Sequence, residues 1–120
     1  MVVTQFLHAA LLVTDLDAAK HFYETVLELP PVERSLSFPG QWYQVGAVQL
    51  HLITAEALIG DRVNAQKWGR NRHLALAVTD LDAMKQRLEA HGCDVQMSAS
   101  GRAALFVCDP DGNLIELAQV

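Results

Sequence analysis

The chain carries one phrase twice, as "HAALLVTDLDAAK" at residues 8–20 and as "HLALAVTDLDAMK" at residues 73–85. Each copy begins with a histidine, runs through apolar residues to Val-Thr-Asp-Leu-Asp-Ala, and ends on lysine. An apolar run that leads into Thr-Asp and then into apolar residues at helical spacing predicts a strand followed by a capped helix. The repetition therefore predicts that the protein contains two copies of one structural module.

The shift that superposes the two phrases also aligns a second pair of strand-like runs, "VQLHL" and "NLIEL". His8 falls on His73, and His51 falls on Glu116. Duplication of a core position explains a histidine kept in the first place. It does not explain an ionisable residue kept at 51 and 116 after the residue type has changed, so we interpret the two pairs as functional.

The remaining histidines serve as an internal control for this interpretation. Under the same shift His21 falls on Gln86, and His91 falls on Val26. They take no part in the repeated pattern, which leaves four candidate ligands.

Each half reads as a strand, a helix and then three strand-like runs. The opening run "FLHAALLV" predicts a buried strand, and Thr14 with Asp17 has the spacing of a capping box. The first helix should run from Leu16 to Leu27 and stop before Pro30-Pro31, whereas the second should stop at Gly92. The later strand-like runs are "VERSLSF" (32–38), "WYQVG" (42–46), "AVQLHLI" (47–53), "DVQM" (94–97), "AALFVCD" (103–109) and "NLIELAQ" (113–119), with "DPDGN" (109–113) as a hairpin turn.

This order predicts an α+β fold of two βαβββ modules within a single domain, 1–120. The first module covers about 1–54, a linker covers about 55–71, and the second module covers about 72–120. The linker is too long for a tight turn and can hold a short helix.

Composition excludes several classes of partner. The net charge is -5 over 120 residues and no Lys/Arg block is present, so we expect neither nucleic acid nor an anionic membrane. No apolar run approaches the roughly 20 residues of a spanning helix, and the first residues lack the positive region of a secretion signal. Cys93 and Cys108 form no CxxC pair or disulfide framework, which predicts small core residues in a reducing cytoplasm.

The two matched pairs predict a metal site. Modules of equal topology should pack about an approximate two-fold axis, which would bring His8, His73, His51 and Glu116 together. A carboxylate in the apolar run around Glu116 needs compensation, either by a metal or by pairing with Arg102 or Arg72. Three histidines with one carboxylate suit Ni, Co, Zn, Mn or Fe(II), and open coordination positions would accept substrate oxygens.

Four segments together resemble the vicinal oxygen chelate superfamily, which groups glyoxalases, bleomycin-resistance proteins and dioxygenases. The resemblance covers nearly the whole chain and implies a curled, barrel-like mixed sheet with helices outside, a divalent metal and a homodimer. Its metal positions fall on the same four residues. Whether the site closes within one chain or across a dimer stays open. The segments are "HAALLVTDLDAAKHFYETVLEL" (8–29), "WYQVGAVQLHLI" (42–53), "RHLALAVTDLDAMKQRLEAHG" (72–92) and "LFVCDPDGNLIEL" (105–117).

The first function that this resemblance implies is that of a glyoxalase I-like lyase or isomerase. The metal would chelate two vicinal oxygens of a small substrate, and Glu116 would act as ligand and as acid/base. His51 stands where glyoxalase I enzymes usually carry a carboxylate, and we count it as a ligand and a candidate catalytic group. A histidine transfers protons only while it is not bound to the metal.

Three other functions remain open. Fosfomycin-resistance thiol transferases resemble this chain at His8, His73 and Glu116, and extradiol dioxygenases use His and carboxylate ligands for Fe(II). Bleomycin-resistance proteins are metal-free binding modules that generally lose the ligand residues, whereas this chain keeps all four.

Substrate contacts are the last prediction. Trp42, Phe38 and Trp68 are candidates to line a pocket for a small molecule such as a thiol conjugate. A substrate anion could be bound by Arg102, and Arg34 or Arg72 could bind it instead.

Overall fold

The computed structural model describes residues 2–120, which fall into two compact units, 2–58 and Ile59–Val120. Their boundary lies inside the predicted linker. Each unit contains one four-stranded mixed sheet and one main helix in the order βαβββ, which confirms the α+β class. Among residues 2–120, no helix has the length and apolar character needed to cross a membrane.

The first unit begins with strand β1, His8–Val13, and helix α1, Leu16–Lys20, which continues as a π-helical segment, His21–Val26. Strands β2, Pro31–Val32, β3, Gly40–Val45, and β4, Val48–Thr54, follow. The sheet order is β1-β4-β3-β2; β1 runs parallel to β4, and the other neighbours are antiparallel.

The second unit repeats this arrangement after a 3₁₀ turn, Trp68–Arg70. Strand β5 is Leu74–Val78, helix α2 is Leu81–Ala90, and the remaining strands are β6, Val95–Met97, β7, Ala104–Cys108, and β8, Leu114–Gln119. The order β5-β8-β7-β6 has the same parallel and antiparallel neighbours as the first sheet.

The repeated Thr-Asp motif caps both helices with its aspartate side chain. Asp15 accepts a hydrogen bond from the Ala18 amide at 3.1 Å, and Asp80 accepts one from the Ala83 amide at 3.0 Å. The sequence offers both Thr14 and Asp15 as capping residues, and the cap of α1 is Asp15, the last extended residue before the helix, rather than the Thr14 of the predicted capping box. Such a cap stabilises a helix by about 1 kcal/mol.

The ends and turns of the second unit follow the sequence prediction. Gly92 has a φ of 77°, which suits a residue without a Cβ directly after a helix. The "DPDGN" hairpin turn is confirmed, because the Asp109 carboxylate accepts from the amides of Asp111 and Asn113.

Two strand predictions are wrong. In β1 only Val13 is buried, and Leu12 is 47% exposed, because β1 is an edge strand with one hydrogen-bonded neighbour. The run 32–38 is irregular beyond Val32. Cys93 and Cys108 are free and half-buried, so neither is a full core residue. The fully buried side chains lie elsewhere, with Val13, Tyr23, Val26, Tyr43 and Leu52 in the first unit and Leu88, Leu105, Val107, Ile115 and Leu117 in the second.

Candidate functional site

In the second unit the predicted ligands His73 and Glu116 lie side by side. His73 directly precedes β5, and Ala75 pairs with Glu116 in the sheet register. Residues two apart on a strand share a face, so the imidazole and the carboxylate project from the same side of the sheet. His73 Nε2 lies 3.4 Å from Glu116 Oε1, and Glu116 is only 6% exposed.

The hydrogen bond of the other His73 ring nitrogen, Nδ1, determines how the imidazole is oriented toward Glu116. His73 Nδ1 lies 2.8 Å from the Asn71 carbonyl, which can only accept, so Nδ1 carries a proton. Asn71 is itself held in place because its side chain accepts from the Val63 and Asn64 amides and donates to the Asn64 and Trp68 carbonyls. This orientation points Nε2 at a carboxylate oxygen of Glu116. A proton or a metal ion between these two atoms would satisfy both.

The donor set and its spacing fit a divalent ion. Two ligand bonds of about 2.1 Å at a tetrahedral angle place the ligand atoms about 3.4 Å apart. The His73 and Glu116 atoms have this separation of 3.4 Å. A backbone carbonyl behind the distal nitrogen of a ligating histidine is also the usual support for such a ligand.

Glu116 also has the partner that the sequence offered as the alternative to a metal. Arg102 reaches both carboxylate oxygens, from Nη1 at 3.4 Å and from Nη2 at 3.3 Å, and its own side chain is 57% exposed. Arg72 instead pairs with Asp61 at the surface. The buried carboxylate is therefore compensated by one arginine and one histidine in the described residues.

In the first unit His51 and His8 form the corresponding pair, and Trp42 joins them. The centroid of the His51 ring lies 4.0 Å from that of His8 and 4.2 Å from that of Trp42, with both rings nearly parallel to it. His8 and Trp42 are carried by β1 and β3, which flank β4 on opposite sides. The His51 imidazole is therefore stacked between the two other rings. The nitrogens at its edge remain available for hydrogen bonds or for binding a metal.

A chain of amides fixes which nitrogen of His51 holds the proton. The Gln44 Nε2 amide donates to the carbonyls of Gly46 and Val48, so Gln44 Oε1 is left to accept from Gln49 Nε2 at 3.1 Å. Gln49 Oε1 then faces His51 Nε2 at 2.9 Å, which makes this nitrogen the donor and leaves a lone pair on Nδ1. Burial lowers the pKa of His51, and the nearby charges of His8 and Arg34 lower it further.

The predicted substrate residues Phe38 and Trp68 lie in different units and have different neighbours. Phe38 is 46% exposed and lies under the Arg34 guanidinium at 4.7 Å. Trp68, in the second unit, donates its backbone amide to Gln96 Oε1 and has Arg62 5.9 Å from its ring centroid.

Phe106 supports the second pair from the position that Trp42 has in the first unit. It pairs directly with Glu116 in the sheet register, as Trp42 does with His51. Its ring contacts the His73 ring edge to face at 5.4 Å, and Gly69 packs so closely on it that a Cβ there would lie 2.6 Å from the ring.

The structure thus brings the four predicted ligands together as two pairs, one in each unit. Within neither unit, over residues 2–120, do three His, Cys, Asp or Glu side chains form a complete metal site. The four-ligand set stays a prediction. Sequence reasoning missed Gln49 and Asn71. Gln49 stands two residues before His51 on β4, the spacing at which a strand brings side chains to one face, whereas Asn71 lies before β5 and contacts His73 through its backbone carbonyl.

Comparison with known proteins agrees with this architecture. The family model for the Glyoxalase/Bleomycin resistance protein/Dioxygenase superfamily matches residues 5–117. "Glyoxylase I 4" of Arabidopsis thaliana is 26% identical over 122 residues, a match that covers 96% of this chain and 70% of that protein.

Two solved structures illustrate the range of similar proteins. Lactoylglutathione lyase from Agrobacterium tumefaciens is 25% identical with a TM-score of 0.70, over 98% of this chain and 94% of that one. A fosfomycin resistance protein from Listeria monocytogenes is 17% identical with a TM-score of 0.78, over 97% of this chain and 91% of that one, and so shares the fold. Because the family model spans most of the sequence, the chain belongs to the Glyoxalase/Bleomycin resistance protein/Dioxygenase superfamily.

Proposed function

We propose that the protein is a metal-dependent enzyme of the glyoxalase type, a lyase or isomerase that acts on vicinal oxygens of a small molecule. The observation that carries this proposal is the His73 and Glu116 pair, whose facing acceptor atoms lie 3.4 Å apart with the imidazole fixed by a backbone carbonyl. The other ligands on this proposal are His8 and His51, which the internal repeat matches to His73 and Glu116. His51 would bind through Nδ1, since Nε2 donates to Gln49.

A bound divalent metal would supply Lewis-acid polarisation of the substrate oxygens. The protein's own contribution is proton transfer and exclusion of water. On this proposal Glu116, which is buried on the sheet face beside Phe106, would take a proton from substrate carbon and return it. Arg102 contacts that carboxylate at both oxygens and so fixes its orientation.

A fosfomycin-type thiol transferase is the second candidate, and the histidine at position 51, where glyoxalase I enzymes usually carry a carboxylate, favours it. If Nδ1 of His51, whose ring is stacked between His8 and Trp42, does not reach the metal, His51 stays outside the ligand set. The three remaining residues, His8, His73 and Glu116, match the set of the fosfomycin-resistance enzymes. Turnover of fosfomycin with a thiol would then exceed isomerisation.

Metal content and turnover test the proposal together. Protein purified without chelator should contain about one equivalent of a divalent metal, and Glu116→Gln should weaken metal binding at least about tenfold. Glu89→Gln is the matched control, because Glu89 is an exposed glutamate that pairs with Lys85 on helix α2. Absence of metal after both aerobic and anaerobic preparation would overturn the proposal and favour a binding protein.

The substrates for the assay are the hemithioacetal of methylglyoxal and glutathione, fosfomycin with several thiols, and simple catechols. We expect the metal-loaded protein to isomerise the hemithioacetal. Turnover of catechols alone would replace this assignment with dioxygenase chemistry. A gain of isomerase activity in His51→Glu would show that position 51 accounts for a departure from glyoxalase I.

A further inference from the structure

Arg34 has donors that the described part of the chain does not use. It lies in the segment between β2 and β3, and its Nη1 donates to the Phe38 carbonyl at 2.8 Å and, more weakly, to the Gly40 carbonyl at 3.5 Å. Its Nε and Nη2 atoms are buried without a hydrogen-bond partner among residues 2–120. Leaving buried donors of a charged group unpaired costs more free energy than leaving neutral donors unpaired, so the arrangement lacks an acceptor.

The two unused donors form one edge of the guanidinium. Nε and Nη2 point to the same side of the planar group, and their parallel N–H bonds match the two oxygens of a carboxylate. Nη1, on the other side, is held by the carbonyls of its own segment. Arg34 is therefore oriented by the protein and offers a complete fork to an anion.

The second unit shows what such an arginine binds. Arg102 lies in the segment between β6 and β7, the topological equivalent of the segment that carries Arg34, and it forks onto Glu116. The repeat matches Glu116 to His51, whose imidazole offers no carboxylate oxygen to an arginine. The first unit thus has an arginine in the equivalent segment without an internal carboxylate at the matched position.

Two aromatic rings lie close to the Arg34 guanidinium. The Arg34 Cζ atom lies 4.7 Å from the Phe38 ring centroid and 5.9 Å from that of Trp42, and Trp42 stacks on His51. A ligand that placed a carboxylate on Arg34 would bring the atoms next to it against these rings. A planar apolar group suits that surface better than a hydrated one.

We propose that Arg34 binds the carboxylate of a small organic acid whose planar or apolar body lies against Phe38 and Trp42. The site is contained in the first unit and does not need a metal. The binding site does not depend on the proposed function. The assignment of the bound acid as the substrate of the enzyme rests on it. Because the Arg34 fork is buried, binding requires movement of residues 33–39, most of which are exposed.

The probe for this site is benzoate, added to metal-free protein in the presence of a chelator. Nitrogen-15 NMR of arginine Nε–H groups reports the contact directly, and the Arg34 signal is assigned by its loss in Arg34→Lys. We expect benzoate to move this signal downfield in a saturable titration. Arg34→Lys, which keeps a charge but lacks the fork, should bind benzoate at least about tenfold more weakly.

Arg62→Lys is the matched control, because Arg62 is an exposed arginine whose guanidinium already donates to the Cys108 sulfur and the Gly112 carbonyl, and this variant's binding of benzoate should be unchanged. Benzamide, which is neutral and nearly the same shape, should bind at least about tenfold more weakly than benzoate. Equal binding of benzamide, or unchanged binding in Arg34→Lys, would overturn the proposal. Preference for phenylphosphonate over benzoate would overturn the assignment to carboxylates.

Failure of this site and failure of the proposed function have different signatures. The benzoate titration contains no metal and no turnover, so a catalytically inactive protein can still bind benzoate through Arg34. Conversely, the metal-loaded protein could be active while the Arg34 NMR signal does not change on addition of benzoate. That result would support the proposed function and reject the Arg34 site.

Discussion

Replacing Arg102 with glutamine should make the metal-free protein less stable and the metal-bound protein easier to form. Arg102 and a metal both need the Glu116 carboxylate, which the arginine holds at 3.3 and 3.4 Å. Removing the arginine leaves the buried carboxylate with His73 beside it, and a metal would meet less competition there. The two effects are linked, because whatever the arginine contributes to the free protein opposes binding of the ion.

The distances and exposures set the size of the effect. Unit charges about 3.3 Å apart attract by about 5 kcal/mol at an effective dielectric constant of 20. Arg102 is 57% exposed, however, and screening by water and the loss of side-chain freedom reduce such a pair to about 1 kcal/mol. A change of 1 kcal/mol corresponds to about a fivefold gain in metal affinity.

Urea unfolding in chelator and calorimetric titration with Zn²⁺ would measure the two sides of this linkage. Arg102→Gln should lower the free energy of unfolding by about 1 kcal/mol and tighten Zn²⁺ binding about fivefold. In a Glu116→Gln background both effects of Arg102→Gln should disappear, since the carboxylate is gone. Tighter binding that persists in that background, or weaker binding in the single variant, would refute competition for Glu116.

Three further predictions concern residues around the site and in the core. Gly69→Ala should destabilise the protein by about 1–3 kcal/mol in urea unfolding, because its Cβ would force Phe106 to move, and unchanged stability would contradict that packing. Asn71→Ala should lower the free energy of unfolding by about 3 kcal/mol through loss of buried hydrogen bonds, and a loss below about 1 kcal/mol would show that water replaces them. Burial and the Glu24 carboxylate raise the pKa of Tyr43, so the unfolded chain loses this proton first and the stability associated with it is present below pH 10 and declines above. Tyr43→Phe should remove that decline in urea unfolding from pH 9 to 11, and identical profiles for the two proteins would reject the assignment.

Most of the fold could be predicted from the sequence because its signals are local. The Thr-Asp motif, the helical spacing that follows it and the "DPDGN" turn each depend on neighbouring residues, and the structure contains the elements they predict. The failures depend on partners distant in sequence. An apolar run cannot show that β1 has a neighbour on one side only, so its burial was overestimated.

The site divides in the same way. The repeat matched His8 with His73 and His51 with Glu116 and predicted that all four converge. The structure brings His8 to His51 and His73 to Glu116, and the convergence of the four stays a prediction. The hydrogen-bond partners that fix the two imidazoles could not be predicted, because asparagine and glutamine are common surface residues and only the geometry distinguishes those at a site. The role of Arg34 was equally hidden, since three arginines were candidates and the sequence does not show which one lacks a carboxylate.

The unequal surroundings of Arg34 and Arg102 have a consequence for how such a protein can evolve. A gene with two copies of a module can alter one copy while the other continues to do its original work. Here Arg102 and Glu116 form an ion pair in one half, whereas the other half has His51 at the position matched to Glu116 and leaves Nε and Nη2 of Arg34 without an acceptor among residues 2–120. On our proposal, a single codon change at position 51 would therefore alter what the first half recognises while the second half keeps its own charge balance.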